Sequence, residues 1–278
     1  MPEATTDPQR VVLLRYADRY RYLWGDDTSG HVIDWYYLAS ERILVSRYSM
    51  APGAAYTHSD EHKSFYQADE CYLVLSGELT FHEPSSGEVH TVRAGEAMHF
   101  RAGTWHHGYN FGTTEVVILV AFAPLPPDIT AAADIAALAT PLPEVVGGRW
   151  DLLGDWPWNA AEARASERIR VLRRPDWLEV VHGTRRPVRV ELFVATDKLT
   201  MGRLTLPPGV VTDELRHPGD CVLVTTDGWA GLTADGTAEW IELQERDGAR
   251  VLAGTSYRLM NHGDTPATVV FGAAPAWR

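Results

Sequence analysis

The chain repeats itself, and the repeat limits what it can fold into. Residues Tyr36–Gly53 align without a gap with Leu192–Gly209, and both stretches end in Pro-Gly. Asp69–Gly77 and Asp220–Gly228 share length and outline, and Arg10–Gly25 is echoed by Arg168–Gly183. Further on, Ala94-Gly95 and Asn110–Thr114 find counterparts in Ala253-Gly254 and Asn261–Thr265. A repeat this long points to duplication of one fold. A chain of 278 residues is long enough for two domains, each with its own core.

Each copy reads as short strands. Val32–Leu38, Ile43–Tyr48, Cys71–Leu75 and Glu88–Val92 are alternating or apolar runs, broken by Gly, Pro, Asp and Ser. Strands at such close intervals suggest a sandwich or barrel. Between the copies Pro124–Pro127 ends a strand, and the Ala-rich Ile129–Leu138 suits a short helix. Trp150, Trp156 and Trp158 follow and are expected to pack as core between the halves.

The stretch Gly95–Asn110 carries the most specific pattern. Gly95, Gly103, His106 and Asn110 have the spacing of G-x5-P-x-G-x2-H-x3-N, with Arg101 at the Pro position. Gly103 suits a turn residue with positive φ, because it has no Cβ to clash. This resembles the second motif of the cupin superfamily. The family's first motif, G-x5-H-x-H-x3–4-E-x6-G, begins at Gly53 and closes with Glu70 and Gly77, but its middle departs. Ser64 and Tyr66, or Lys63 and Phe65, stand where the histidines belong, while His58 and His62 lie in a lengthened segment.

The resemblance implies an all-β chain, two tandem cupin jelly-roll barrels joined by a partly helical linker. Residues 1–125 would form the N-terminal cupin domain, 126–166 the linker and 167–278 the C-terminal cupin domain. The family's His and Glu hold a divalent metal, so His106, Glu70 and one of His62 or His58 form the implied ligand set. Two imidazoles and a carboxylate suit iron first, with zinc, manganese, nickel or cobalt as other choices. The resemblance then implies a metal-dependent oxygenase acting on an aromatic or enolisable substrate. The missing histidines motivate a version with no metal, in which Tyr66, Glu70 and His106 act as acid and base groups of an isomerase, cyclase or dehydratase. A cupin that binds a metabolite without turnover is the non-enzymatic rival. His107 alternates away from His106 on a strand, and the face of His99 is open.

In the second copy Gly209, His217 and Gly228 keep their spacing, but Leu215 and Cys221 replace ligands and nothing matches His106. That half is expected to be non-catalytic. Cys221 reads as a small buried residue rather than a reactive thiol.

A formal charge of −12 argues against nucleic acid or an anionic membrane as partner. No apolar run is long enough to span a bilayer, and the N-terminus has no secretory pattern, so the cytoplasm is the expected location. Two cysteines make no disulfide framework. Phosphate-loop, nucleophile-elbow and paired CxxC patterns are absent from the sequence. The expected partners are a small-molecule substrate and a second copy of the chain, since jelly-roll edges favour a homodimer.

Overall fold

The computed structural model describes residues 10–57, 66–84, 86–124, 160–235 and 240–275. The ligand candidates His58 and His62, the expected helix at 129–138 and the linker tryptophans lie outside them.

The chain divides into two units, Tyr20–Trp177 and the pair of segments Met1–Arg19 and Leu178–Arg278. In the first unit a seven-stranded antiparallel sheet runs in the order Ile169–Leu172, Ala97–Phe100, Asp69–Ser76, Val116–Ala123, Leu44–Met50, Gly30–Ala39, Tyr20–Asp26. Its four-stranded companion runs Ala55–Tyr56, His107–Tyr109, Glu78–Glu83, Glu88–Arg93. The second unit repeats this plan. Its larger sheet is Val11–Leu14, Gly248–Val251, Asp220–Asp227, Ala267–Ala274, Thr200–Leu206, Val188–Ala195, Leu178–His182. Its smaller one is Leu215–Arg216, Ser256–Met260, Ala230–Ala234, Trp240–Leu243. Strand order corresponds position by position, so the sequence repeat is a duplicated two-sheet jelly roll. A helix, Ala160–Ser166, supplies the helical part of the linker.

The unit boundaries differ from a division at 125 and 167. Val11–Leu14 pairs with Gly248–Val251 in the C-terminal barrel, and Ile169–Leu172 pairs with Ala97–Phe100 in the N-terminal one. The cause is local. 3-10 turns at Tyr16–Asp18 and Arg174–Asp176 break the paired stretches Arg10–Gly25 and Arg168–Gly183 into two strands each. The first strand of each run covers what would otherwise be an open sheet edge.

Alternation builds the cores. In the N-terminal barrel Leu44, Tyr48 and Met50 share a buried cluster with Tyr72 and Val74, Met98 and Phe100, and Ile118 and Val120. Leu79 and Phe81 join it from the smaller sheet. The C-terminal core is built likewise, around Val190, Leu204, Leu223, Val269, Phe271 and Leu259. Among the described residues no helix is long and apolar enough to cross a membrane.

Candidate functional site in the N-terminal barrel

Strand Asp69–Ser76 sets the site. Residues two apart on a strand face the same way, so Glu70 and Tyr72 both project toward the barrel core while Cys71 faces away. His106 arrives from the turn Arg101–Gly103, where Gly103 takes φ 76° and its N–H donates to the Tyr66 carbonyl. The imidazole stacks on Phe100, with ring centroids 4.0 Å apart and planes 15° from parallel.

The Tyr72 hydroxyl lies between the other two groups. Its oxygen is 2.8 Å from Glu70 Oε2 and 3.0 Å from His106 Nε2, which are themselves 3.7 Å apart. Both of those side chains are 1% exposed. Burial dominates their titration. It raises the Glu70 carboxyl to about 8, partly offset by the Tyr72 hydrogen bond, and lowers the His106 imidazole to about 3. Burial, and next to it the Glu70 charge, also pushes the Tyr72 phenol up.

At neutral pH, then, Glu70 holds a proton and His106 is neutral. His106 Nδ1 lies 3.4 Å from the Thr104 carbonyl. With the imidazole proton on Nδ1 and donated there, Nε2 is left as an acceptor. Tyr72 donates to it, and the protonated Glu70 donates to Tyr72. This arrangement satisfies every group without burying a charge. Moving one proton along each hydrogen bond converts it to a Glu70 carboxylate and a His106 imidazolium, with Tyr72 as the conduit.

A cavity of about 70 Å³ opens in the same barrel, and its wall includes Tyr72, Tyr66, Tyr48, Tyr56, Asp34 and Trp24. Tyr72 alone of the three linked groups lines it. Glu70 and His106, both buried, are not among the lining residues.

Of the residues singled out in the sequence, Glu70 and His106 come together. Tyr66 lines the cavity and packs against Phe122 with centroids 5.4 Å apart. Tyr72 is the residue hydrogen-bonded to both Glu70 and His106. His99 is buried on the side of its strand away from Met98 and Phe100, which belong to the core cluster. His107 is half-buried beside His82, with ring centroids 5.8 Å apart. Tyr72 and Asp34 went unnoticed in the sequence. The signal for both was the period of two, which sets Tyr72 on the face of Glu70 and Asp34 between Val32 and Tyr36.

The described residues do not by themselves fit a divalent ion. No group of three His, Cys, Asp or Glu side chains able to hold one occurs among them. Glu70 and His106 supply two donors, and the nearest third group is a phenol pushed far above neutrality. Catalytic sites for such metals use three protein ligands.

The C-terminal barrel keeps the register and changes the chemistry. The Gly254 N–H donates to the His217 carbonyl, as the Gly103 N–H does to that of Tyr66, and the Asn261 N–H donates to Val210 as that of Asn110 does to Ala54. Gly254 therefore answers to Gly103, not to Gly95, and no residues are missing from the second motif. Tyr257 stands where the first copy has His106, correcting the expectation that nothing would. Arg246, at φ 74°, takes the left-handed place of Gly95. His217 Nε2 lies 2.6 Å from the Tyr257 hydroxyl, with both residues buried. Cys221 is buried and burial pushes its thiol up.

Comparisons with known proteins agree with this architecture. Residues 46–122 match the family model for the cupin domain. No curated protein matches by sequence. AerE from Microcystis aeruginosa superimposes with a TM-score of 0.60 at 9% identity, covering 92% of this chain and 97% of its own. Oxalate decarboxylase OxdC from Bacillus subtilis, in its structure at pH 4.6, gives 0.63 at 14% identity, covering 98% of this chain and 78% of its own. A further structure of that decarboxylase, from work on its Mn(II) centres, gives 0.63 at 14% identity with the same coverage. At these identities the likeness is one of fold.

Proposed function

We propose that this chain, whose residues 46–122 match the family model for the cupin domain, is an enzyme whose N-terminal barrel moves protons on a small molecule. The reaction class is isomerisation, cyclisation or dehydration. The observation that carries the reading is Tyr72, which lines the cavity and whose hydroxyl bridges Glu70 Oε2 at 2.8 Å and His106 Nε2 at 3.0 Å.

Tyr72 touches the substrate and is the catalytic residue; Glu70 and His106 act through it. As an acid, Tyr72 gives its proton to the substrate and is reprotonated by Glu70, leaving a carboxylate. As a base, the Tyr72 oxygen takes a substrate proton while its own passes to the Glu70 carboxylate or to His106 Nε2. A carboxyl that titrates at about 8 can serve both directions near neutral pH. The aromatic wall excludes water, which protects a carbanion or enol from stray protonation.

The 3.7 Å separation of Glu70 Oε2 and His106 Nε2 favours a second reading, the metal-dependent oxygenase. His106, Glu70 and His62 or His58 would hold the ion there, and it would supply Lewis acidity or dioxygen activation. The structural neighbour oxalate decarboxylase has Mn(II) centres.

One experiment separates the two. The protein is incubated in deuterated water with enolisable and aromatic small molecules, with and without a strong chelator, and solvent deuterium in the product is read by mass spectrometry. Proton-transfer chemistry predicts deuterium uptake that survives chelation and disappears in Tyr72→Phe. Uptake lost on chelation, or retained in Tyr72→Phe, sinks the acid–base reading.

A further inference from the structure

The cavity wall carries an acid with no base to match it. Asp34 lies on strand Gly30–Ala39, is only 9% exposed and lines the cavity. Among the described residues its one hydrogen-bonding side chain is Ser46, whose Oγ lies 3.5 Å from Asp34 Oδ1. Among the described residues no Lys, Arg or His lines the cavity. A buried carboxyl ordinarily pairs with a cation or takes up a proton. Asp34 does the second, since burial raises it to about 7.

The rest of the wall is aromatic and rich in acceptors. Trp24, Tyr36, Tyr48, Tyr56, Tyr66 and Phe122 contribute rings. The register places Tyr48 directly opposite Asp34 on the neighbouring strand. Tyr48 and Tyr56 are each 5% exposed, and their rings meet edge to face with centroids 6.4 Å apart. A carboxyl that meets no cation among the described residues is costly to bury in its charged form unless a ligand engages it.

We infer that the ligand of this cavity carries a small organic cation, an ammonium group received by the Asp34 carboxylate among the surrounding rings. An ammonium has donors and no acceptors, so the carboxylate and the phenol oxygens answer it, and ring faces attract a cation through their quadrupole. Anionic ligands are disfavoured on the same grounds. Oxalate, which the decarboxylase neighbour is named for, would face a carboxyl with no cationic side chain beside it among the described lining residues. The protein's charge of −12 concentrates cations at its surface rather than anions. This inference rests on the reading that the cavity beside Tyr72 is the working site, and names the substrate class for it.

The test uses three probes of one shape and different charge: n-butylamine, n-butanol and butyrate. Binding to the full chain is followed by ligand-observed NMR at fixed ionic strength. Butylamine is expected to bind at least tenfold more tightly than butanol, with butyrate weaker still. The Asp34→Asn variant is expected to abolish that preference. Equal binding of all three probes, or a preference for butyrate, overturns the inference without needing any variant. A preference for butylamine that survives Asp34→Asn also overturns it, because the cation then sits elsewhere. Failure of proton exchange in the deuterium experiment, with amine selectivity intact, would fall on the proposed chemistry alone.

Discussion

The Tyr72 hydroxyl sits between the Glu70 carboxyl, at 2.8 Å, and the His106 imidazole, at 3.0 Å, all within the buried interior of one barrel. Removing that oxygen leaves its two neighbours 3.7 Å apart with nothing to bridge them. Tyr72→Phe is isosteric apart from the hydroxyl, so the fold survives. Each partner left unsatisfied costs about 1–3 kcal/mol, which denaturant unfolding will register. Turnover should fall by about 10²–10⁴-fold, the usual weight of a positioned acid or base. A second readout is the 15N shift of His106. In the native protein Nε2 reports an unprotonated, hydrogen-bonded acceptor, and that signature changes in Tyr72→Phe.

Glu70 makes stability depend on pH in a direction that can be derived. Its carboxyl titrates at about 8 in the native state against 4.5 as a model group. Between those values the folded protein keeps a proton that the unfolded chain releases. Stability therefore falls as pH rises across that window, by at most about 1.4 kcal/mol per pH unit, and levels off above it. Glu70→Gln cannot ionise and loses this contribution. Chemical unfolding at several pH values should show the variant gaining on the native protein from pH 4.5 upward. A constant difference between the two across the window would mean that Glu70 titrates normally.

The duplicated barrels were legible because the repeat and the alternation of apolar residues survive in the sequence. His106 and Asn110 were legible through spacing. Asn110 proves to be a structural pin, its side-chain amide donating to the carbonyls of Met50, Ala51 and Thr114, and Asn261 does the same for Leu206 and Thr265. Tyr72 was not legible because it lies outside the motif's histidine positions, whereas Tyr66 stands at one of them. Asp34 was hidden because an isolated acid in a strand reads as a surface residue until the neighbouring strands close over it. The Gly254 alignment failed for a different reason. Arg246 adopts a backbone conformation that favours glycine, so the true counterpart of Gly95 could not be recognised by residue type, and the wrong glycine was matched.

Gly108 is a second position where backbone and cavity meet. A Cβ there would fall 2.2 Å from Cε1 of Tyr56, whose ring crosses the strand at that point. Gly108 pairs with Tyr56 in register, so neither backbone can retreat without breaking the ladder. Gly108→Ala should therefore push the Tyr56 ring into the cavity it lines. Overpacking of this kind costs about 1–3 kcal/mol. The variant is expected to unfold at lower denaturant and to bind butylamine more weakly than the native chain. A variant that matches the native protein in both would show that the Tyr56 ring has free space behind it.

The N-terminal strand belongs to the C-terminal barrel, and this too can be tested. Val11–Leu14 pairs with Gly248–Val251, Leu14 is 7% exposed, and Arg15 Nη1 lies 2.7 Å from the buried Asp247 carboxylate. The Tyr16 N–H donates to the other oxygen of Asp247 at 2.8 Å. Deleting residues 1–15 strips one side of strand Gly248–Val251 and turns it into an exposed edge. Loss of the Leu14 side chain alone removes about 1.5–3 kcal/mol of burial, and loss of the Arg15–Asp247 ion pair adds to that. Amide hydrogen exchange should quicken at whichever of residues 248–251 donate to the lost strand, while strand Asp69–Ser76 in the other unit keeps its protection. If the deletion instead left residues 248–251 protected, the first strand would be dispensable to the barrel it pairs with. That outcome would return the boundary to the simple division at 125 and 167.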